Sequence, residues 1–224
     1  MTSDAYISEV KDKCRALRNA GLWEGEPKIR PVAWLQNFDQ EDRFIAAKLL
    51  DRFIFHSNQA VERMISAAYN AVCDGIPKGP SAPDSQRLRN ALINARFTHV
   101  SGETDNPTDS GYLFCRLARQ YLQIPEELFV GHEEALRHSD AGGTVIFLDD
   151  FVGSGDQFLS CWHRSHLSFG NKSFSSIFAV KDFSAGYINL MSLSEGVEAI
   201  HRYVPGLAIS VAHMVERYST IWGL

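Results

Sequence analysis

The sequence predicts an α/β fold: a doubly wound, mostly parallel sheet with an N-terminal helical module. From residue 84 onward, apolar runs of strand length alternate with helical patterns, the order expected for a parallel sheet covered on both faces. Before residue 84 the apolar residues recur only at helical spacing. The 224 residues, 45% of them hydrophobic, are enough for one core plus an extension.

The N-terminal module is predicted to cover residues 1–83. Three amphipathic patterns in it predict helices: residues 4–22, 44–54 and 58–75. Residues 73–85 are dense in glycine and proline, a composition typical of a linker. We therefore expect the α/β domain to cover residues 84–224.

The α/β domain is predicted element by element from the change between the two periodicities. The predicted strands are residues 97–101, 127–131, 144–150, 174–181 and 207–212. The predicted helices are residues 84–95, 110–122, 155–167 and 185–195. Strand 144–150 contains an unbroken apolar run, which is typical of a central strand buried on both faces.

Composition excludes several classes of protein. With 22 Lys and Arg against 27 Asp and Glu, the net charge is -5, which argues against sequence-specific nucleic-acid binding. No apolar run approaches the roughly 18 residues of a membrane span. The four cysteines are far apart, as expected for buried thiols in a reducing compartment. We expect a cytoplasmic protein without a membrane segment.

The segment from Val145 to Gln157 carries the strongest chemical motif. Two adjacent acids, Asp149 and Asp150, end the apolar strand, and a glycine-rich turn opens the following helix. Such a turn lets backbone N–H groups and a helix N-terminus approach a phosphate. Paired carboxylates beside a phosphate suit Mg²⁺ or ribose hydroxyls. Acid pairs also end strands in other doubly wound domains, so the residues alone leave a plain turn open.

This segment resembles the PRPP-binding motif of type I phosphoribosyltransferases, in which apolar residues, two acids and a phosphate loop follow one another. Trp34-Leu35-Gln36-Asn37-Phe38, Asp42-Arg43 and Ser110-Gly111 extend the similarity to phosphoribosyltransferase-like proteins of bacterial conflict and anti-phage systems (PRTase-CE), including retron-associated ones. The resemblance spans most of the chain from Trp34. It implies a type I phosphoribosyltransferase-like sheet.

The resemblance also implies roles for single residues. Asp149 and Asp150 would be the catalytic pair, holding the ribose hydroxyls directly or through Mg²⁺. The loop around the 5-phosphate would consist of Gly153, Ser154, Gly155, Asp156 and Gln157. The pyrophosphate loop would be lined by Asp109, Ser110 and Gly111. Asp182, which follows the predicted strand 174–181, is the candidate on the side of the base.

Two departures from the motif bear on activity. Gln157 stands where active enzymes have a threonine, and Asp156 places an anion where the phosphate would bind. Residues 131–143 are short for the flexible hood of active enzymes. We also expect the conflict-system relatives to continue beyond Trp222, which would make this chain short at its C-terminus.

Two functions therefore stay open. The first is an enzyme of the glycosyltransferase class that transfers or hydrolyses at PRPP or a related nucleotide with Mg²⁺ as an anti-phage effector. The alternative is a catalytically inactive module that senses a nucleotide or docks on a protein in a multi-protein defence complex. A scaffold without a small ligand is disfavoured, because burying two adjacent carboxylates without a counter-charge is costly. The sequence leaves open whether the protein acts alone, as a homodimer or in such a complex.

Overall fold

The computed structural model describes residues 2–25, 28–75, 94–102, 110–181 and 183–216. Its contacts divide these residues into two compact units, one up to Val61 and one from Glu62 onward. Most of the third predicted helix therefore belongs to the unit that contains the sheet. The predicted boundary between residues 83 and 84 lies outside the described residues and stays a prediction.

The first unit is built from short helices around its own apolar core. Helix α1 is Ser3–Asn19, α2 is Pro31–Leu35 and α3 is Arg43–Asp51. The Thr2 hydroxyl caps α1 by accepting from the Ala5 N–H at 3.4 Å. The apolar spacing of α1 buries one side of that helix against α2 and α3, with a core made of Ile7, Val10, Cys14, Trp23, Leu35, Ala46, Ala47 and Leu50.

The second unit contains a four-stranded, all-parallel sheet. Its strands are β1 (Arg96–His99), β2 (Val145–Val152), β3 (Ala185–Leu193) and β4 (Ala208–Val215), paired in that order. The register aligns Asp149 with Asn189 across the β2–β3 pair. The predicted strands 97–101, 144–150 and 207–212 and the α/β fold class are confirmed.

Helices surround this sheet. They are α4 (Asn58–Gly75), α5 (Ser110–Leu122), α6 (His132–Asp140), α7 (Asp156–His163), α8 (Phe174–Phe178) and α9 (Ser194–Tyr203). No helix among the described residues is long and apolar enough to cross a membrane.

The predicted strand 127–131 is wrong except for one residue. Pro125 starts a 3₁₀ turn over Glu126–Leu128, and the two glutamates of that turn disfavour a buried strand. Phe129 alone bridges Phe97 in parallel, and the Val130 N–H donates to the Phe97 carbonyl at 2.8 Å. Phe129 lies along one edge of β1, and β2 pairs with the other edge. The chain therefore crosses from one side of β1 to the other between residues 129 and 145. The sheet therefore reverses its winding between β1 and β2.

The predictions for residues 174–181 and 185–195 are also wrong, because strand and helix are interchanged there. Ser173 and Ser176 form a reciprocal capping box that starts α8, in a segment that had been predicted as a strand. Residues 185–189 are all buried and form the first half of β3. In residues 185–195, Gly186, Asn189 and Ser192 interrupt the apolar residues, so neither the helical nor the strand period stands out there.

Both faces of the sheet are covered. On one face, aromatic side chains of β2, β3, α7 and α8 form the core: Phe147, Phe158, Trp162, Phe174 and Tyr187. On the other face, α4 packs so closely that a Cβ on Gly186 would lie 3.0 Å from the Val72 side chain. A Cβ on Gly111 would lie 3.2 Å from the Val100 carbonyl, which places the start of α5 at the end of β1.

Candidate functional site

The reversal between β1 and β2 creates a crevice at the carboxyl ends of these strands, where open α/β sheets bind ligands. A cavity of about 220 Å³ lies at the carboxyl end of β2, on the side of β3 and α7. It is lined by Asp149, Phe151, Val152, Gly153, Ser154, Gly155, Gln157, Phe158 and Tyr187. The structure thus brings together most of the residues that the motif places around a ribose phosphate.

Asp149 is the buried acid of this cavity, with 3% of its surface exposed. Its Oδ1 accepts from the Asp150 N–H at 3.0 Å, and its Oδ2 accepts from the Tyr187 hydroxyl at 3.0 Å. Burial, followed by repulsion from the Asp150 carboxylate, raises the pKa of Asp149 to about 7. A bound cation or hydroxyl donor would favour the ionised form of this group.

Tyr187 holds one oxygen of that carboxyl group in place. Burial and the neighbouring Asp149 raise the pKa of the phenol well above its ordinary value, so the hydroxyl stays protonated and donates. The Tyr187 ring stacks on Phe158 of α7 with centroids 4.3 Å apart. The orientation of Asp149 is therefore fixed by the aromatic core.

Asp150 is half-buried and follows Asp149 at the end of β2. Because successive residues of a strand face opposite sides of the sheet, the two carboxylates flank the strand end rather than share one face. A ligand that uses both must sit at the tip of β2, in line with the loop that follows.

The backbone of the loop Gly153–Gly155 packs closely against the backbone at the start of α9. Gly155 has a φ of 88°, in the left-handed region that favours glycine. A Cβ there would lie 2.8 Å from the Gly196 carbonyl and 3.0 Å from the Ile200 side chain. A Cβ on Gly196 would in turn overlap the Gly153 carbonyl. The first turns of α7 and α9 therefore meet at this loop.

Ser154 and Asp156 bind each other within the loop. The Ser154 hydroxyl donates to Asp156 Oδ2 at 2.7 Å, and the Asp156 N–H donates to Ser154 Oγ at 3.4 Å. The Asp156 carboxylate thus engages the hydroxyl that the motif assigns to the phosphate. Gly155, the N-cap residue of α7, has no side chain to accept from the first-turn N–H groups.

Gln157 and Gly111 meet at the end of β1. The Gln157 side-chain amide lies 3.5 Å from the Val100 carbonyl oxygen, to which it donates, and Gly111 packs against the same carbonyl. Ser110 begins α5, as the motif requires. Asp109 lies outside the described residues.

The prediction that Asp182 lies on the side of the base rests on a strand over residues 174–181, which the structure does not contain. The segment before Asp182 is helix α8 rather than a strand, and β3 begins after it, at Ala185. Asp182 itself lies outside the described residues.

Sequence analysis does not assign three residues to the site that the structure places near it. Tyr187 and Asn189 were hidden because residues 185–195 were predicted to be helical. Arg164, just after α7, donates to the Ser101 hydroxyl at 2.7 Å and to the Gly102 carbonyl, so it holds the end of β1. The sequence of β3 has no unbroken apolar run that could have indicated it, since Asn189 and Ser192 interrupt its apolar residues.

A metal would have to be held by few protein ligands. Among the described residues there is no group of three or more His, Cys, Asp or Glu side chains that could hold a metal ion. Asp149 and Asp150 offer two carboxylates. Since Mg²⁺ is commonly held by one or two carboxylates together with substrate phosphates, this donor set fits Mg²⁺ that arrives with a ligand.

Comparisons with known proteins identify the family of the chain. The solved structure of the AQ2163 protein from Aquifex aeolicus is similar with a TM-score of 0.41 and 13% sequence identity, covering 74% of this chain and 80% of that chain. Comparison with curated proteins gives no match. The sequence model of the PRTase-CE family matches residues 31–223, which is most of the chain and includes the whole cavity. The chain therefore belongs to the PRTase-CE family and is a phosphoribosyltransferase-like protein.

Proposed function

We propose that the protein binds PRPP or a nucleotide 5-phosphate in the cavity at the tip of β2. The observation that carries this proposal is the buried Asp149 beside a glycine loop at the N-terminus of α7. The loop N–H groups and the helix dipole suit the 5-phosphate, and the carboxylates suit the ribose hydroxyls. The cavity of about 220 Å³ has room for a ribose phosphate.

Mg²⁺ would be held by Asp149 and Asp150 together with the phosphates of the ligand. When bound, it would neutralise the charge of a departing pyrophosphate. The residues of the chain would hold the ribose in place, keep its 5-phosphate on the loop and exclude water with the aromatic side of the cavity. Catalysis of this kind rests on positioning and electrostatics.

The activity we propose is phosphoribosyl transfer, or modification of a nucleotide, as an anti-phage defence effector. A second candidate is a module without turnover that senses a nucleotide or docks on a partner in a defence complex. The contact between Ser154 and Asp156 favours the second candidate, because an anion already occupies the loop. A phosphate must displace that carboxylate from the hydroxyl before it can bind there.

Calorimetric titration with PRPP, ribose 5-phosphate and common nucleotides, with and without Mg²⁺, tests the binding. We expect Mg²⁺-dependent binding that the double variant Asp149→Asn/Asp150→Asn loses. Asp140→Asn is the matched control, since this acid pairs with Lys172 and Lys181 away from the cavity. Wild-type protein that binds none of these compounds would overturn the proposal.

Turnover separates the two candidates. Consumption of PRPP by the purified chain, abolished by Asp150→Asn and retained in Asp140→Asn, would establish an enzyme. Saturable binding with no consumption of PRPP in the presence of nucleobases and nucleotides would favour the sensing module.

A further inference from the structure

Strand β3 carries two polar side chains that are buried without hydrogen-bond partners among the described residues. Asn189 and Ser192 are each 0% exposed. Neither the amide nitrogen nor the amide oxygen of Asn189, nor the hydroxyl of Ser192, has a partner among the described residues. Buried polar groups in native proteins are nearly always paired, so each exception requires an explanation.

Both side chains lie beside cavity residues of β2. In the parallel register Asn189 is aligned with Asp149, and Ser192 is aligned with Val152. Register partners in neighbouring strands face the same side of the sheet, so Asn189 lies on the face of Asp149. Tyr187, two residues before Asn189, faces that side as well and already donates to Asp149.

The described residues give the Asn189 side chain no hydrogen bond that would stabilise the folded protein. Asparagine is disfavoured in strands, and its neighbours in β3 are mostly apolar. An apolar residue of similar size would bury its surface there without stranding two polar atoms. We therefore expect Asn189 to lower the stability of the ligand-free protein.

We infer that Asn189 is a positioning residue of the ligand site, whose amide N–H donates to the Asp149 carboxylate when that group holds a ligand. In the ligand-free protein the two oxygens of Asp149 already accept from Tyr187 and from the Asp150 backbone. A carboxylate has room for further donors, and the amide on the neighbouring strand is the buried donor aligned with it. This inference rests on the proposed function.

The test compares thermal stability with ligand affinity in Asn189→Leu. We expect the variant to unfold a few degrees higher than wild type without ligand, and to bind PRPP with Mg²⁺ about tenfold more weakly. A merely structural role would move both properties in the same direction. Thr98→Val is the matched control, because the Thr98 hydroxyl is equally buried and unpartnered but is aligned with Phe147 in the core. It should raise stability and leave affinity unchanged.

The outcomes separate this inference from the proposed function. Wild-type protein that binds neither PRPP nor ribose 5-phosphate overturns both. Wild-type binding with an unchanged affinity in Asn189→Leu, or an affinity loss that accompanies a lower unfolding temperature, overturns the role of Asn189 alone. If Asn189→Leu does not fold, Asn189→Ala replaces it, and Ile177→Val, a buried truncation in α8, controls for lost packing. Only Asn189→Ala should then lose affinity.

Discussion

The carboxyl group of Asp149 lies in surroundings that favour its neutral form. Burial removes water from it, and Asp150 adds a second negative charge, while the hydrogen bonds from Tyr187 and the Asp150 N–H work in the opposite direction. The result, a pKa of about 7, is typical of groups whose charge matters for binding or chemistry. The acid pair was predictable from the sequence. Its ionisation was not, because it depends on the packing around Asp149, which includes Tyr187 of β3, and β3 is predicted to be a helix.

Asp149 should make the ligand-free protein less stable as the pH rises. Its pKa is about 7 in the folded protein and about 3.9 in the unfolded chain, so the unfolded chain loses this proton first. The free energy of unfolding should therefore fall by a few kcal/mol, on the order of 1.4 kcal/mol per pKa unit, between about pH 4 and pH 7. Chemical denaturation over this range should show that Asp149→Asn removes the part of the slope that Asp149 contributes. An unchanged slope in Asp149→Asn would contradict the prediction, and Asp12→Asn on the exposed side of α1 provides the control.

Asp156 should weaken the binding of phosphate by the loop. Asp156→Asn removes an anion from the first turn of α7 and weakens its hold on the Ser154 hydroxyl. We expect the affinity for ribose 5-phosphate to rise severalfold, while the helix loses roughly 0.3–1 kcal/mol of favourable dipole interaction. Titration calorimetry and denaturation on the same variant measure both effects. Equal or weaker binding than wild type would show that the carboxylate does not compete with the ligand.

A strand could be predicted where the residues at its ends mark it in the sequence. Strand β2 was predictable because an apolar run ends in two acids and a glycine turn. Strand β3 was not, since its apolar residues lack a distinguishing period and Ser173, which caps α8, is an unremarkable serine by sequence alone. The fit of Gly196 against Gly153 joins segments more than 40 residues apart, which local patterns cannot reveal.

Gly196 should be required for the shape of the phosphate loop. A Cβ in Gly196→Ala would overlap the Gly153 carbonyl, so either the loop or α9 must move. We expect a loss of about 1–3 kcal/mol in stability and a marked loss of ligand affinity. Gly25→Ala is the control, because nothing lies within 4 Å of a Cβ there and its φ is not positive. Wild-type affinity in Gly196→Ala would show that the loop tolerates displacement.

At the scale of the whole molecule, the site is built by one of the two units. Every residue that lines the cavity belongs to the unit that starts at Glu62. The first unit has its own core, to which α1 contributes Ile7, Val10 and Cys14. The PRTase-CE match begins at residue 31, so it includes α2 and α3 as well as the sheet.

Truncating the core of the first unit should therefore leave ligand binding intact. Leu35→Ala removes a side chain that is 1% exposed, and such a change costs about 2–5 kcal/mol in the unit that contains it. Phe158→Leu makes a comparable change in the second unit, where the ring lines the cavity and stacks on Tyr187. Calorimetric unfolding and titration with PRPP should show lower stability in both variants but weaker binding only in Phe158→Leu. If Leu35→Ala also lost affinity while still folded, the first unit would have to contribute to the site. The conclusion that the second unit alone forms the ligand site would then be wrong.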